Sequence, residues 1–215
     1  MMGQAMDTTH EAASWRGLFP QVAVYAHPRR IVDAFGGAIG DDVATRLAEE
    51  QRFRDRLSAL LAETFALSED FGDGVPSDAT VRLGRASSAD LSRLVRQCGA
   101  VYWARAVVGV IEAKSVVTLQ QVLGDDAYAA ALAHRDLAAP DPTFPAPDDL
   151  DQAVSAAGLR CLAAWCALQP PAFAQRMRLK FPDRAELDNA VAPPFDTVGP
   201  TIVDRLAKEE WPHAG

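Results

Sequence analysis

Apolar residues recur at three- and four-residue spacing in one segment of this chain after another, and each segment is stopped by glycine, proline or a pair of aspartates. That period fits helices and not half-buried strands, so the chain is restricted to short helices joined by tight turns. Pro28 opens a helix carrying Ile31, Val32 and Phe35, which Gly36 and Gly37 stop. Asp41 or Asp42 caps a longer helix to Thr64, striped by Val43, Leu47, Leu57, Leu60, Leu61 and Phe65. Residues 68–86 read as a mobile loop, with only Val81-Arg82-Leu83 resembling a strand. Ser87-Ser88-Ala89-Asp90 then starts a helix with Leu91, Leu94, Val95, Cys98, Val101 and Tyr102 on one face. From Tyr102 to Glu112 the chain is apolar nearly all round, the mark of a central buried helix in which Arg105 is the exception.

Ser115, then Asp125 or Asp126, begin two further short helices, and Asp148 or Asp149 a long one. Pro170-Pro171 separates that helix from one bearing Phe173, Met177 and Phe181, and Pro193-Pro194 precedes the last. The expected fold is mostly α, a single compact multi-helix domain or two lobes, with at most a short β segment. Residues 1–14 form a disordered tail and 15–139 a helical lobe. A proline-rich connection, 140–147, leads to a second helical lobe, 148–215, packed on the first.

Composition limits the function. With 21 basic against 29 acidic residues the chain carries a formal charge of -8, which repels nucleic-acid backbones. No run of apolar residues is long enough to span a membrane, and Met1 to Ser14 lacks the basic-then-apolar order of a signal peptide. Three cysteines, Cys98, Cys161 and Cys166, make no disulfide framework and suit a reducing compartment. A cytoplasmic location is expected.

Chemistry-bearing constellations are sparse. His10, His27, His134 and His213 form no pair at the helical spacing that chelates a metal, and nothing resembles a serine-nucleophile elbow or a phosphate loop. Paired aspartates fall where helices begin, so capping accounts for them. No catalytic residue, metal site or cofactor is expected. Two clusters are candidates for partner binding: Tyr25, His27, Arg29 and Arg30 around Pro28, and Arg176, Arg178 and Lys180 near a helix end. The alternative reading of the second is a solvated helix C-terminus favouring cations. An enzyme alternative assembles Arg105, Glu112 and His134 around a pocket, since residues seven apart share a helix face; a buried arginine paired with an acid explains the same pattern. A free-standing chaperone or regulatory adaptor shares this composition too.

Four blocks carry a family resemblance. They are Val24-Tyr25-Ala26-His27-Pro28 followed by Ile31; Leu91 through Gly99; Leu119-x3-Leu123-Gly124-Asp125-Asp126-Ala127-Tyr128-x3-Leu132; and Gly158-Leu159 continuing to Arg176-Met177-Arg178-Leu179-Lys180-Phe181-Pro182. In order and approximate spacing they resemble the SctK-type, YscK-like accessory proteins of type III secretion sorting platforms, over roughly residues 20 to 182. Arg29-Arg30, residues 68–86 and the tail after Pro182 depart from the pattern. The resemblance implies a non-enzymatic adaptor at the cytoplasmic face of the inner membrane, held there by protein contacts. Its partners would be the cytoplasmic domain of the SctD-type ring protein and the SctQ-type pod protein, with no nucleic acid.

Overall fold

The computed structural model describes Phe19 and residues 21–140, 145–146, 149–183, 187 and 191–209. Among these the chain is mostly α, with twelve α-helices and no strand. We number them α1 (Val22–Tyr25), α2 (Pro28–Ala34), α3 (Asp41–Glu49), α4 (Arg54–Thr64), α5 (Asp78–Arg85), α6 (Ser88–Tyr102), α7 (Ala104–Gly109), α8 (Ala113–Leu123), α9 (Asp125–Ala133), α10 (Leu150–Ala167), α11 (Pro171–Arg178) and α12 (Phe195–Glu209). Single 3-10 turns, Gln51–Phe53 and Arg135–Leu137, precede α4 and follow α9.

The chain divides into two compact units that interleave along the sequence, Met1–Ser88 with Gln169–Arg184 and Ala89–Leu168 with Ala185–Gly215. The expected 1–14 tail lies outside the described residues, as do five of the eight positions in the proline-rich stretch.

The first unit is built from α1 to α5 and α11. Its core gathers Val22, Ala23 and Ala26 of the α1 region with Ile31, Val32, Ala44, Leu57, Leu61 and Leu179. The single helix expected from Asp41 to Thr64 is instead two, because Glu50 is extended and a 3-10 turn follows. The physical reason is visible in the stripe: between Leu47 and Leu57 stand seven charged or polar residues with only Ala48 and Phe53, so no apolar face holds the helix on a core there.

Val81-Arg82-Leu83 is helical, correcting the strand expectation. Ser77 caps α5 by accepting from the Thr80 amide at 3.2 Å, and Ala79, Thr80, Leu83 and Gly84 then bury one face at helical spacing. The supposed mobile loop therefore ends at Ser77, and its first half is tied down. Ser68 N–H donates to Gln175 Oε1 at 2.6 Å, and the Ala172 amide donates to the Asp70 carbonyl at 3.0 Å.

The second unit holds α6 beyond Ser88, then α7 to α10 and α12. One part of its core is alanine-rich: Ala100, Ala104, Val107, Leu119, Leu123, Ala127, Ala131, Ala138, Leu150 and Val154. Small side chains let helices approach closely. A Cβ on Gly99 would clash with the Val154 carbonyl, and one on Gly158 with the Val95 carbonyl, so α6 and α10 touch backbone to backbone through two reciprocal glycines. Gly199 of α12 also sits closely on α10, where a Cβ would meet the Cys161 Cα at 2.8 Å. Trp165 of α10 donates its indole N–H to Asp204 of α12 at 2.9 Å.

The segment from Tyr102 to Glu112 is not a central buried helix. It breaks between Tyr102 and Ala104 and ends at Gly109, with Val110 extended. Ala104 and Val107 are buried, but Arg105 is exposed, as are Val108 and Ile111. All-round apolarity here means one buried face and one exposed apolar face. The aspartate pairs shift by one residue from their expected place: Gly40 and Gly124 are the N-caps, and Asp41-Asp42 and Asp125-Asp126 fill the first turns, where the helix dipole still favours them.

Candidate interaction residues

The fold brings the two basic-aromatic clusters of the sequence together inside the first unit. The His27 amide donates to the Leu179 carbonyl at 2.7 Å, joining the start of α2 to the end of α11. The Lys180 ammonium lies 5.5 Å from the Tyr25 ring centroid and 5.8 Å from that of Phe19. Phe19 in turn meets Tyr25 and Phe173 edge-on at 5.2 and 5.5 Å.

Lys180 is 2% exposed. Its ammonium donates to the carbonyls of Gly84 at 2.7 Å and Ala86 at 2.8 Å, with that of Leu83 at 3.5 Å, so it closes the C-terminal end of α5. Its own carbonyl accepts from the Ser88 hydroxyl at 3.1 Å. Burial pushes the ammonium down to about 7, while the carbonyls and ring faces favour the charged form.

Arg176 is 6% exposed and ties residues 68–71 to α11. It donates to the Ser68 carbonyl at 2.7 Å and the Ala172 carbonyl at 3.1 Å, approaches Glu69 at 3.5 Å, and stands 4.8 Å over the Phe71 ring. Its guanidinium also favours ionisation of Tyr25, whose hydroxyl has no partner of ordinary hydrogen-bond geometry among the described residues. Burial dominates there and raises the phenol far above its usual range. Neither a solvated helix end nor an open partner-binding patch describes Arg176 or Lys180. With Phe19, Tyr25 and Phe173 beside them, they serve as interior donors to backbone carbonyls of Ser68, Gly84 and Ala86 at the turns around α5 and before α11. Arg178 is half-buried.

Arg30 is likewise interior, donating to the Phe181 carbonyl at 3.0 Å and to Asp33 at 3.1 Å. Arg29 is exposed, 3.8 Å from Asp33. His27 is the N-cap of α2, its Nδ1 accepting from the Arg29 amide at 3.2 Å. Burial and then the charge of Arg30 lower its affinity for a proton, while Asp41 works against them. Of the seven expected partner-binding residues, Arg29 alone is exposed.

The alternative site around Arg105, Glu112 and His134 loses its geometric basis, because α7 ends before Glu112. Arg105 and Glu112 are exposed on different elements, and the Glu112 carboxylate accepts from the Ser115 hydroxyl at 3.0 Å. His134 is buried at the end of α9, 3.8 Å from Glu209. Cys98, Cys161 and Cys166 are buried and free, and burial pushes the Cys161 thiol up to about 12. No group of three metal-ligating side chains occurs among the described residues.

Fold and charge placement together define a helical protein whose strongest basic cluster is built into its interior. The family model described as YOP proteins translocation protein K (YscK) matches residues 6–205. The chain belongs to that family and is a type III secretion protein of the YscK, or SctK, type. No curated protein and no solved structure matches it significantly.

Proposed function

We propose that this protein is a non-enzymatic adaptor of the cytoplasmic sorting platform of a type III secretion system. It links the cytoplasmic domain of the SctD-type inner-membrane ring protein to the SctQ-type pod protein and is needed for effector secretion. The observation that carries this reading is the YscK match across nearly the whole chain. The placement of Arg30, Arg176 and Lys180 agrees with it, since these cations hold the fold together and leave the outer surface for protein contacts. No helix among the described residues is long and apolar enough to cross a membrane, and we place attachment to the ring in protein contacts. The test is deletion of the gene in a host with an injectisome. Loss of effector secretion and of assembled pods, restored by the wild-type chain, is the expected result; normal secretion with intact pods would refute the proposal.

A further inference from the structure

In the first unit, α11 and Phe19 form a seat that the chain fills with its own non-helical segment Ser68-Glu69-Asp70-Phe71. Backbone and side chain are both read there. The Ser68 amide donates to Gln175 Oε1, the Ala172 amide donates to the Asp70 carbonyl, and Arg176 donates to the Ser68 carbonyl. Phe71 lies under the Arg176 guanidinium and stacks on Phe19, with ring centroids 6.4 Å apart and planes at 14°. The structure therefore shows what chemistry covers this face: a short segment with an acid followed by an aromatic ring.

The segment is an imperfect occupant. Glu69 approaches one nitrogen of Arg176 at 3.5 Å, and its side chain is 88% exposed. Arg176 Nε, on a side chain only 7% exposed, is buried with no hydrogen-bond partner among the described residues. A carboxylate set square to the guanidinium would engage two of its nitrogens together, so the seat has room for a better-matched acid. The ends of the segment are also marked. Ala66, a non-glycine residue, is held at φ 48° and Gly72 at φ 70°, so a left-handed backbone position stands on either side of the contact.

We propose that residues 68–72 are an autoinhibitory strap on a peptide-binding seat, and that the seat takes an acidic-aromatic segment of a partner protein when the strap lifts. The incoming aromatic ring replaces Phe71 between Arg176 and Phe19, its backbone takes over Ala172 N–H and Gln175 Oε1, and its carboxylate pairs with Arg176 through Nε. This deepens the adaptor reading by supplying a contact surface and the chemistry of the segment that fits it.

Two measurements on the full-length chain test this. In the wild type, hydrogen exchange at the Ser68 and Ala172 amides is expected to be at least about tenfold faster than at Met177 inside α11, because the strap opens without the helix. Equal protection would overturn the strap. The second measurement titrates a synthetic peptide of residues 66–73 into the isotope-labelled chain and follows the Ala172 and Gln175 signals by NMR. Phe71→Ala weakens the strap and leaves the seat intact, and circular dichroism checks its helix content. The peptide is expected to bind Phe71→Ala at least about tenfold more tightly than the wild type, whose own strap competes at high effective concentration. The same peptide with its phenylalanine changed to alanine is expected to lose that binding. No saturable shift with the folded variant, or equal affinity for variant and wild type, would overturn the proposal. A wild-type dimer in sedimentation that Phe71→Ala dissociates would overturn it in favour of strap exchange between two copies. Neither measurement contains a platform component, so failure here leaves the adaptor reading standing, and normal secretion after gene deletion would refute that reading without touching the seat.

Discussion

Lys180 shows how a charged residue can be more informative about folding than about binding. Its ammonium bonds to the carbonyls of Gly84 and Ala86, which the end of α5 leaves without helical partners. Because burial holds the folded-state proton affinity at about 7, against a usual lysine value of roughly 10.4, the unfolded chain binds more protons between those limits. Stability is therefore expected to rise with pH from about 7 towards 10, by at most about 1.4 kcal/mol per pH unit. Urea denaturation at pH 7, 8 and 9 checks this, with Lys180→Met expected to lose the slope. Identical slopes in the two proteins would exclude Lys180 as its source.

Arg176 makes a second prediction at this scale. Arg176→Ala removes donors from two carbonyls and is expected to cost about 2–4 kcal/mol, with faster proteolysis near residues 66–77. Arg176→Lys should not restore protection, since one ammonium cannot replace a guanidinium that reaches Ser68 and Ala172 while lying over Phe71. Unchanged cleavage in Arg176→Ala would refute the tie. The basic character of this cluster is legible in the sequence, and its burial is not. The carbonyls it serves belong to residues 68, 84 and 86, about a hundred positions away, and no local spacing reports them.

At the scale of elements, the crossing of α6 and α10 is set by two glycines. Gly99→Ala or Gly158→Ala pushes a methyl group into a facing carbonyl and is expected to destabilise by more than about 2 kcal/mol. Gly109→Ala, where nothing stands within 4 Å, should change stability by less than about 1 kcal/mol. Thermal unfolding of the three variants compares them directly; equal effects would contradict the close crossing. Helix positions were largely readable, because proline, glycine and paired aspartates punctuate a helical period. Three departures share one cause. A local pattern reveals a face but not what covers it. The stripe across Leu47 to Leu57 lapses without a turn signal, the helix of Val81 is anchored by Ser77, and the apolar run at Ala104–Ile111 has only one side against the core.

For the whole molecule, the sequence blocks anticipated the family, and the match over residues 6–205 establishes it. The interleaved units were not readable, since the return of Gln169–Arg184 to the amino-terminal helices depends on contacts between distant segments. What an adaptor must do is hold two proteins that do not hold each other. The most direct measurement mixes the SctD-type cytoplasmic domain and the SctQ-type pod protein with and without this chain, and weighs the products by light scattering after size exclusion. A three-component complex that forms only when the chain is present is the expected result. Direct association of ring and pod proteins to the same extent without it, or no three-component complex with it, would contradict the bridging role.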